Sequence, residues 1–283
     1  MDDDFANEVF MIIGGAGSLG RRLVEELVDP KSSTKIIRVF DNNENSVARM
    51  RVQYPFPQIR WFIGDIRDKE RLKLAMNDVT TVIVCAALKH VDLCEYSPFE
   101  AIKTNVVGLQ NCIEAALESD VNRFLTISSD KAVQACSTYG RCKALGESLT
   151  LDANNYKGDR KTIYSVCRPP NYFGSDMSVT DVWQYQKEHD LPLSVTSEKM
   201  ERYFLDFPDI VRFVLKCVRM MKGGEIFVPS GAQKLKIIDL ARQMSDRIEI
   251  TGMRKGERLT ELLMDPDVEL PRATLTDGVW VIR

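Results

Sequence analysis

Histidine is nearly absent from this 283-residue chain, with only His90 and His189. The seven cysteines (Cys85, Cys94, Cys112, Cys136, Cys142, Cys167 and Cys217) are odd in number, scattered, and free of any Cys-x-x-Cys pair. Both facts argue against a zinc framework and a disulfide scaffold. Cysteines set in apolar runs behave as small hydrophobes, so a reduced, cytoplasmic protein without a metal site is expected. A large excess of one charge sign is missing too. Lys+Arg total 38 and Asp+Glu 41, a formal charge of −3, which gives no electrostatic reason for nucleic acid or an anionic membrane as partner. No run approaches the ~20 apolar residues that span a bilayer, and the acidic start at residues 1–10 is wrong for a secretory or transit peptide. Repeats, low-complexity stretches and flexible linkers are lacking as well. What remains, 44% hydrophobic and 28% charged, is ordinary soluble globular composition. At ~150 residues per domain, the length predicts one large or two interleaved domains. It leaves no expected room for a membrane anchor or a fused transferase.

The first half alternates short β-branched runs with amphipathic stretches. Strands are expected at 8–13, 35–40, 59–63, 81–85, 123–127 and 162–167, and helices most clearly at 19–28, 105–118 and 139–155. Such alternation implies βαβ units and a parallel sheet buried on both faces. After Arg168-Pro169-Pro170 the pattern loosens. Helices are expected at 179–189, 208–221, 237–246 and near 257–264, with short strands at 193–196 and 225–229. The fold class is therefore α/β, a Rossmann-type doubly wound sheet. A nucleotide-binding domain at 1–168 is expected to be followed by a smaller substrate lobe at 169–283 that partly returns to the sheet.

The turn after the first strand carries Gly14, Gly17 and Gly20 around Ser18 and Leu19. It opens a helix, and Asp41 closes the next strand about 20 positions on, the spacing of a ribose-binding acid. Glycine lets backbone approach a pyrophosphate, and the helix N-terminus supplies N–H groups and dipole. Asp41 favours NAD over NADP because it would repel a 2′-phosphate; Arg49 and Arg51, more readily a solvated helix face, leave NADP open. Asp65 and Ile66 follow the third strand, where they are placed to contact adenine.

Tyr139 and Lys143 stand four apart at the start of a helix and so share a face. The ammonium is expected to lower the phenol pKa toward that of a general base. Ser128-Ser129-Asp130-Lys131 directly follows the 123–127 strand, at the carboxyl edge where open α/β sheets bind ligands.

With these residues the chain resembles the extended short-chain dehydrogenase/reductases. Within them it is similar to the UDP-N-acetylglucosamine 4,6-dehydratases of polysaccharide biosynthesis, whose mark is a hydroxyl residue before Asp-Lys, here Ser129-Asp130-Lys131. Further similarity runs through Ala86-Ala87-Leu88-Lys89-His90-Val91, 100–105, 195–204, 224–229 and 254–258. The resemblance implies an elimination without net redox change. Tyr139 takes the 4-OH proton while hydride leaves C4 for the nicotinamide, and Lys143 holds the phenolate and a ribose hydroxyl. Ser129 bonds the 4-oxygen, Lys131 serves as base at C5, Asp130 protonates the departing 6-OH, and the hydride returns to C6, with C5 inversion favoured. It implies a cofactor site of Gly14, Gly17, Ser18, Leu19, Gly20, Asp41, Asn42, Asp65, Ile66, Ala86, Ala87, Lys89, Asn105, Tyr139, Lys143 and Tyr172. Lys89, Ser129, Asn171, Thr196, Arg202, Arg254 and Glu257 would contact the UDP-sugar. His90 is expected to bond structurally beside the cofactor and His189 to face solvent.

Three segments depart from the subgroup: Pro170-Asn171-Tyr172 replaces Gly-Asn-Val, Met177 stands near a usual glycine, and 133–137 lacks the usual Asn-Pro. Two other functions stay open, a nucleotide-sugar 4-epimerase and a non-catalytic NAD-binding regulator. A homo-oligomer is expected; the apolar 105–118 helix could serve an interface or pack under the other lobe.

Overall fold

The computed structural model describes residues 5–29 and 33–283; the acidic residues 1–4, read above against a targeting peptide, lie outside it. In chain order, β1 (Val9–Ile13), α1 (Ser18–Leu27), β2 (Ile36–Asp41), α2 (Glu44–Gln53), β3 (Ile59–Ile63), α3 (Lys69–Met76) and β4 (Thr81–Val84) form the first half of the nucleotide fold. Next come α4 (Val91–Tyr96), α5 (Pro98–Ile102), a π-helical turn (Lys103–Val107), α6 (Gly108–Glu118), β5 (Arg123–Ile127), α7 (Thr138–Tyr156) and β6 (Ile163–Cys167). The second half contributes β7 (Asn171–Tyr172), α8 (Val179–Glu188), β8 (Leu193–Val195), β9 (Glu201–Leu205), α9 (Phe207–Met220) and β10 (Ile226–Pro229). It ends with β11 (Gln233–Lys236), α10 (Ile237–Met244), β12 (Ile248–Ile250), β13 (Ala273–Thr276) and β14 (Val279–Ile282).

Among the described residues a nine-stranded sheet runs β13-β14-β10-β6-β5-β4-β1-β2-β3, parallel from β3 through β10. The order reverses between β1 and β4, the switch point where doubly wound sheets bind ligands. Strands buried on both faces must be apolar throughout, and β1 and β4 are buried along their whole length. One face packs Leu23 and Val24 of α1 with Val214 and Cys217 of α9. The other packs Leu72 of α3 with Cys112, Ile113 and Ala116 of α6, so the apolar side of α6 belongs to the core. A smaller lobe is built on β11-β9-β7 and β12-β8, around Trp183, Leu193, Phe204 and Ile238.

One expectation fails in the second half. Residues 257–264 are not helical. Gly256 takes φ +82°, Thr260 bridges to Glu201, and the carbonyls of Arg258 and Leu259 turn outward to Arg202. The closing β13–β14 hairpin, which returns to the sheet beside β10, adds two strands to those expected. The helix expected from 105 begins instead as the π turn, with α6 starting at Gly108.

One polar network runs through the core behind β5 and β6. Ser128 Oγ donates to Glu147 Oε1 at 2.6 Å, Arg168 reaches both oxygens of Glu147 at 2.9 and 2.6 Å, and its guanidinium also holds Glu269 at 2.8 Å. Arg168 is 1% exposed. Removing one partner of a buried ion pair leaves an unpaired charge, at a cost of about 3–5 kcal/mol. Arg168→Ala is thus expected to lose about that much unfolding free energy in urea titrations; a loss under ~1 kcal/mol would contradict this reading.

Candidate active site

The carboxyl end of β5 turns directly into a single 3₁₀ turn, Asp130–Ala132, with Ser129 at its N-cap. Ser129 Oγ accepts the Lys131 N–H at 3.3 Å and donates to Asp130 Oδ1 at 2.9 Å. Asp130 is 1% exposed, a burial that a carboxylate tolerates only with its oxygens bonded. Lys131 Nζ meets Oδ1 at 3.1 Å, and Asn171 Nδ2 from β7 meets Oδ2 at 3.0 Å. Asn171 also accepts from Lys131 Nζ at 3.3 Å and donates to the Tyr203 carbonyl of β9 at 3.1 Å. Serine, acid, lysine and asparagine therefore form one cluster between the sheet edge and the smaller lobe.

Tyr139 lies in the first turn of α7, where Ser137 caps the helix by accepting from Gly140 N at 2.9 Å. Lys143 Nζ sits 6.0 Å from the Tyr139 ring centroid and donates to the Ile127 carbonyl at 2.7 Å. Burial raises the Tyr139 phenol above its ordinary range, with the Ser129 hydrogen bond acting against it. Burial also pushes the Lys143 ammonium down to about 8. The expected lowering of the phenol by its neighbouring ammonium is thus overridden, because desolvation disfavours the charged form of both groups.

At the glycine turn, Gly14 has φ +77° and its Cβ would meet Ala86 N at 2.6 Å; a Cβ on Gly20 would lie 2.3 Å from the Gly14 carbonyl. Gly17 stands at the N-cap of α1 and supplies no side-chain cap. The first-turn amides, those of Ser18 and Leu19 included, thus face outward with the helix dipole behind them. Asp41, at the end of β2, accepts the Ala16 N–H at 3.0 Å and the Asn43 N–H at 2.9 Å. Each carboxylate oxygen keeps a further acceptor site.

Several residues expected to bind ligand carry structural bonds. Asn105 is buried and spans both the N–H and the carbonyl of Leu88 at 2.8 Å; it shapes the loop bearing Ala86, Ala87 and Lys89. Asp65 is engaged by Arg67 and by Asn42 Nδ2 at 3.2 Å, and the hydrogen bonds from Arg67 hold its carboxyl down at about 2; its neighbour Ile66 is core. The Arg202 guanidinium donates to the carbonyls of Glu201, Leu259 and Arg258 at 2.7, 3.1 and 2.8 Å, which ties down a loop. Glu257 likewise accepts from Arg254 N at 2.8 Å within its own turn. Thr196 follows β8 beside the start of that loop, where Thr251 N donates to the Val195 carbonyl at 2.9 Å. Arg254 itself is exposed. His90 stands at the N-cap position of α4 without a side-chain capping bond, and His189 is exposed against Tyr185.

The loop around Met177 closes over the glycine turn. Asp176 binds Arg21 at 2.9 and 3.0 Å, its N–H donates to Ser18 Oγ at 2.9 Å, and its carbonyl accepts from Lys89 Nζ. Met177 takes φ +56°, left-handed backbone that favours glycine, which accounts for the usual residue there. Tyr172, packed on Phe207 at 4.9 Å, lines the same side.

The model of a family described as polysaccharide biosynthesis protein matches residues 10–279. The chain belongs to that family. Its relatives include an uncharacterized membrane protein of Methanocaldococcus jannaschii, 41% identical over 92% of this chain and 81% of that protein. A UDP-N-acetylglucosamine 4,6-dehydratase (inverting) of Campylobacter jejuni is 38% identical over 93% of this chain and 79% of its own length. A UDP-glucose 4-epimerase of Rickettsia felis is more distant, at 32% over 98% and 83%. The X-ray structure of Pen from Bacillus thuringiensis superposes with a TM-score of 0.93 at 30% identity, covering 98% of this chain and 88% of that one. Family membership thus agrees with the extended short-chain dehydrogenase/reductase resemblance. Among the described residues, no helix is long and apolar enough to cross a membrane.

Proposed function

We propose that this member of the family is a nucleotide-sugar 4,6-dehydratase acting on UDP-N-acetylglucosamine, with C5 inversion. The observation that carries the reading is the Ser129–Asp130–Lys131–Asn171 cluster, centred on the buried Asp130, beside Tyr139 and Lys143. A 4-epimerase needs Tyr139, Lys143 and a hydroxyl only, and has no use for an acid and an amine held together at the same sheet edge.

The glycine turn fits a dinucleotide: its packing excludes side chains and its helix amides are uncapped. Gly14, Gly17, Ser18, Leu19 and Gly20 would hold the pyrophosphate and Asp41 the ribose hydroxyls. The Asp41 carboxylate at the strand end favours NAD over NADP by repelling a 2′-phosphate, while Arg49 and Arg51 lie on the exposed face of α2. Bound NAD supplies the acceptor and later donor of hydride.

The protein's own groups move the protons. Tyr139, as phenolate, accepts the proton of the sugar 4-OH, and Ser129 Oγ holds the 4-oxygen. A 4-ketone acidifies H5. Shifting one proton across the 3.1 Å Lys131–Asp130 pair gives an amine that takes H5 and an acid that protonates the departing 6-OH as water. A solvent-exchanged proton then reaches C5 on the face opposite Lys131, which inverts that centre, and the Lys131 ammonium releases its proton to solvent. The product is a 4-keto-6-deoxy sugar, with atoms and electrons balanced. Arg254 and Thr196 would meet the nucleotide diphosphate side of the substrate. Incubation with UDP-N-acetylglucosamine and NAD should yield a product lighter by one water in mass spectrometry; substrate recovered unchanged would defeat the reading.

A homo-oligomer and a cytoplasmic setting belong to the same proposal. Tyr96 and Phe99 stand exposed with Leu93 and Leu145 on the mutually packed helices α4, α5 and α7, and all seven cysteines are free. Sedimentation velocity should show more than one chain per particle, and Phe99→Glu should shift it toward monomer.

A further inference from the structure

Glu95, in α4, belongs to no group assigned above, yet it touches both halves of the molecule. One carboxylate oxygen accepts the backbone N–H of Thr138, first residue of α7 and neighbour of Tyr139. That amide is among those that open a helix without an intrahelical partner. The other oxygen meets Lys255 Nζ at 3.1 Å, where Glu95 is 11% and Lys255 83% exposed. Lys255 follows Arg254 in the loop from the smaller lobe. The same loop docks on the segment leading into α7: Cys136 Sγ donates to the Gly256 carbonyl at 3.4 Å, and Arg258 Nη1 donates to the Val133 carbonyl at 3.2 Å. Gly256, at φ +82°, fits so closely that a Cβ would lie 2.9 Å from Ser137 Cβ and 3.3 Å from Glu95 Oε1. Hydrogen bonds from Thr138, reinforced by Lys255, hold the Glu95 carboxyl down at about 2, so it is charged at any working pH.

We propose that Glu95 is a positioning residue that ties the loop carrying Arg254 to the N-terminus of the Tyr139 helix, so that nucleotide-sugar binding and the placement of Tyr139 are coupled. The role rests on the dehydratase reading. The residue does not touch reacting atoms; it acts through the Lys255 ion pair on one side and the Thr138 amide on the other.

Three variants of the full-length, NAD-loaded protein separate these two links. Lys255→Ala breaks the ion pair alone. Glu95→Gln keeps an acceptor for Thr138 but loses the charge, and Glu95→Ala removes both. A partly exposed ion pair is worth up to ~1 kcal/mol, about fivefold in an equilibrium. Lys255→Ala and Glu95→Gln should therefore each raise KM about two- to fivefold at nearly constant kcat, and the double variant should be no worse than either single one. Glu95→Ala should in addition lower kcat about tenfold, since a small misplacement of a reacting group suffices for that. A merely structural Glu95 would lower the melting temperature, leave KM alone, and give effects that add. Unchanged KM in both tether variants, or additivity in the double one, overturns the proposal. UDP affinity by calorimetry on the same variants needs no turnover. If wild-type protein yields no product but the variants still lose UDP affinity by the same factor, the dehydratase reading falls and the tether stands. Equal UDP affinity across all variants, or no UDP binding by wild type, removes the tether.

Discussion

Tyr139→Phe is expected to lower kcat by about 10³-fold, within the range that a positioned acid or base contributes. The ring packs with Cys94, Ala101 and Cys142 in a small apolar cluster, and phenylalanine fills the same space, so the fold and cofactor site should survive. Only the O–H is lost, and with it the group that bonds Ser129 and takes the 4-OH proton. The wild-type pH profile carries a related signature. Burial holds the Lys143 ammonium near 8 and keeps the phenol protonated well above that. The form with phenolate and ammonium has one proton fewer than the fully protonated pair, as does the form with phenol and amine. The pair must therefore shed one proton, and kcat/KM should rise with pH through about 8 and then level. Steady-state kinetics on both proteins check this; a Tyr139→Phe enzyme within tenfold of wild type would remove the phenol from the proton transfer.

Asp130→Asn is expected to separate oxidation from elimination. The amide can still hold Ser129 but cannot protonate a leaving hydroxyl, so loss of water should slow by at least about 10². Reduced nicotinamide should then accumulate in a single turnover, because the oxidation at C4 uses Tyr139 and not Asp130. Lys131→Met should show the same accumulation, together with lost stability, because Asp130 is left buried without its cation. Stopped-flow absorbance on enzyme mixed with UDP-N-acetylglucosamine reads it directly. A 4-epimerase would return its hydride in both variants at the wild-type rate, and that outcome would select the other reading.

The parts of this molecule that were legible in the sequence are those fixed by near neighbours. The glycine turn between β1 and α1, the Asp41 strand end, and the order Ser129, Asp130, Lys131, Tyr139, Lys143 each lie within short stretches where spacing dictates geometry. The continuous apolar run Val82-Ile83-Val84-Cys85 fits a strand buried on both sides, and β4 is one. The loop bonds of Arg202 carry no mark in its own segment, because the carbonyls of residues 258 and 259 that receive it lie far along the chain. The bond of Asn105 to a loop seventeen positions earlier is equally unmarked. The Tyr139 phenol lies above its ordinary range rather than below it because burial, invisible in sequence, dominates. The closing hairpin is a different case. Asp277-Gly278, both at positive φ, sits between Thr274-Leu275-Thr276 and Val279-Trp280-Val281, and Asp-Gly between such runs is a strong hairpin signal. Glu95, Arg168 and Glu147 carry no local mark at all; a charged residue on a helix reads as solvated until tertiary contacts bury it.

The central claim, that the Asp130–Lys131 pair performs an elimination at C5 and C6 between two hydride transfers at one cofactor, is tested most directly by NMR of the reaction with UDP-N-acetylglucosamine in D₂O. The account predicts a UDP-linked 4-keto-6-deoxy-N-acetylhexosamine with one deuterium at C5, inverted configuration there, and the original C4 hydrogen in the new methyl group. A product epimerised at C4 with oxygen retained at C6 and no deuterium at C5, or no product at all, would contradict it.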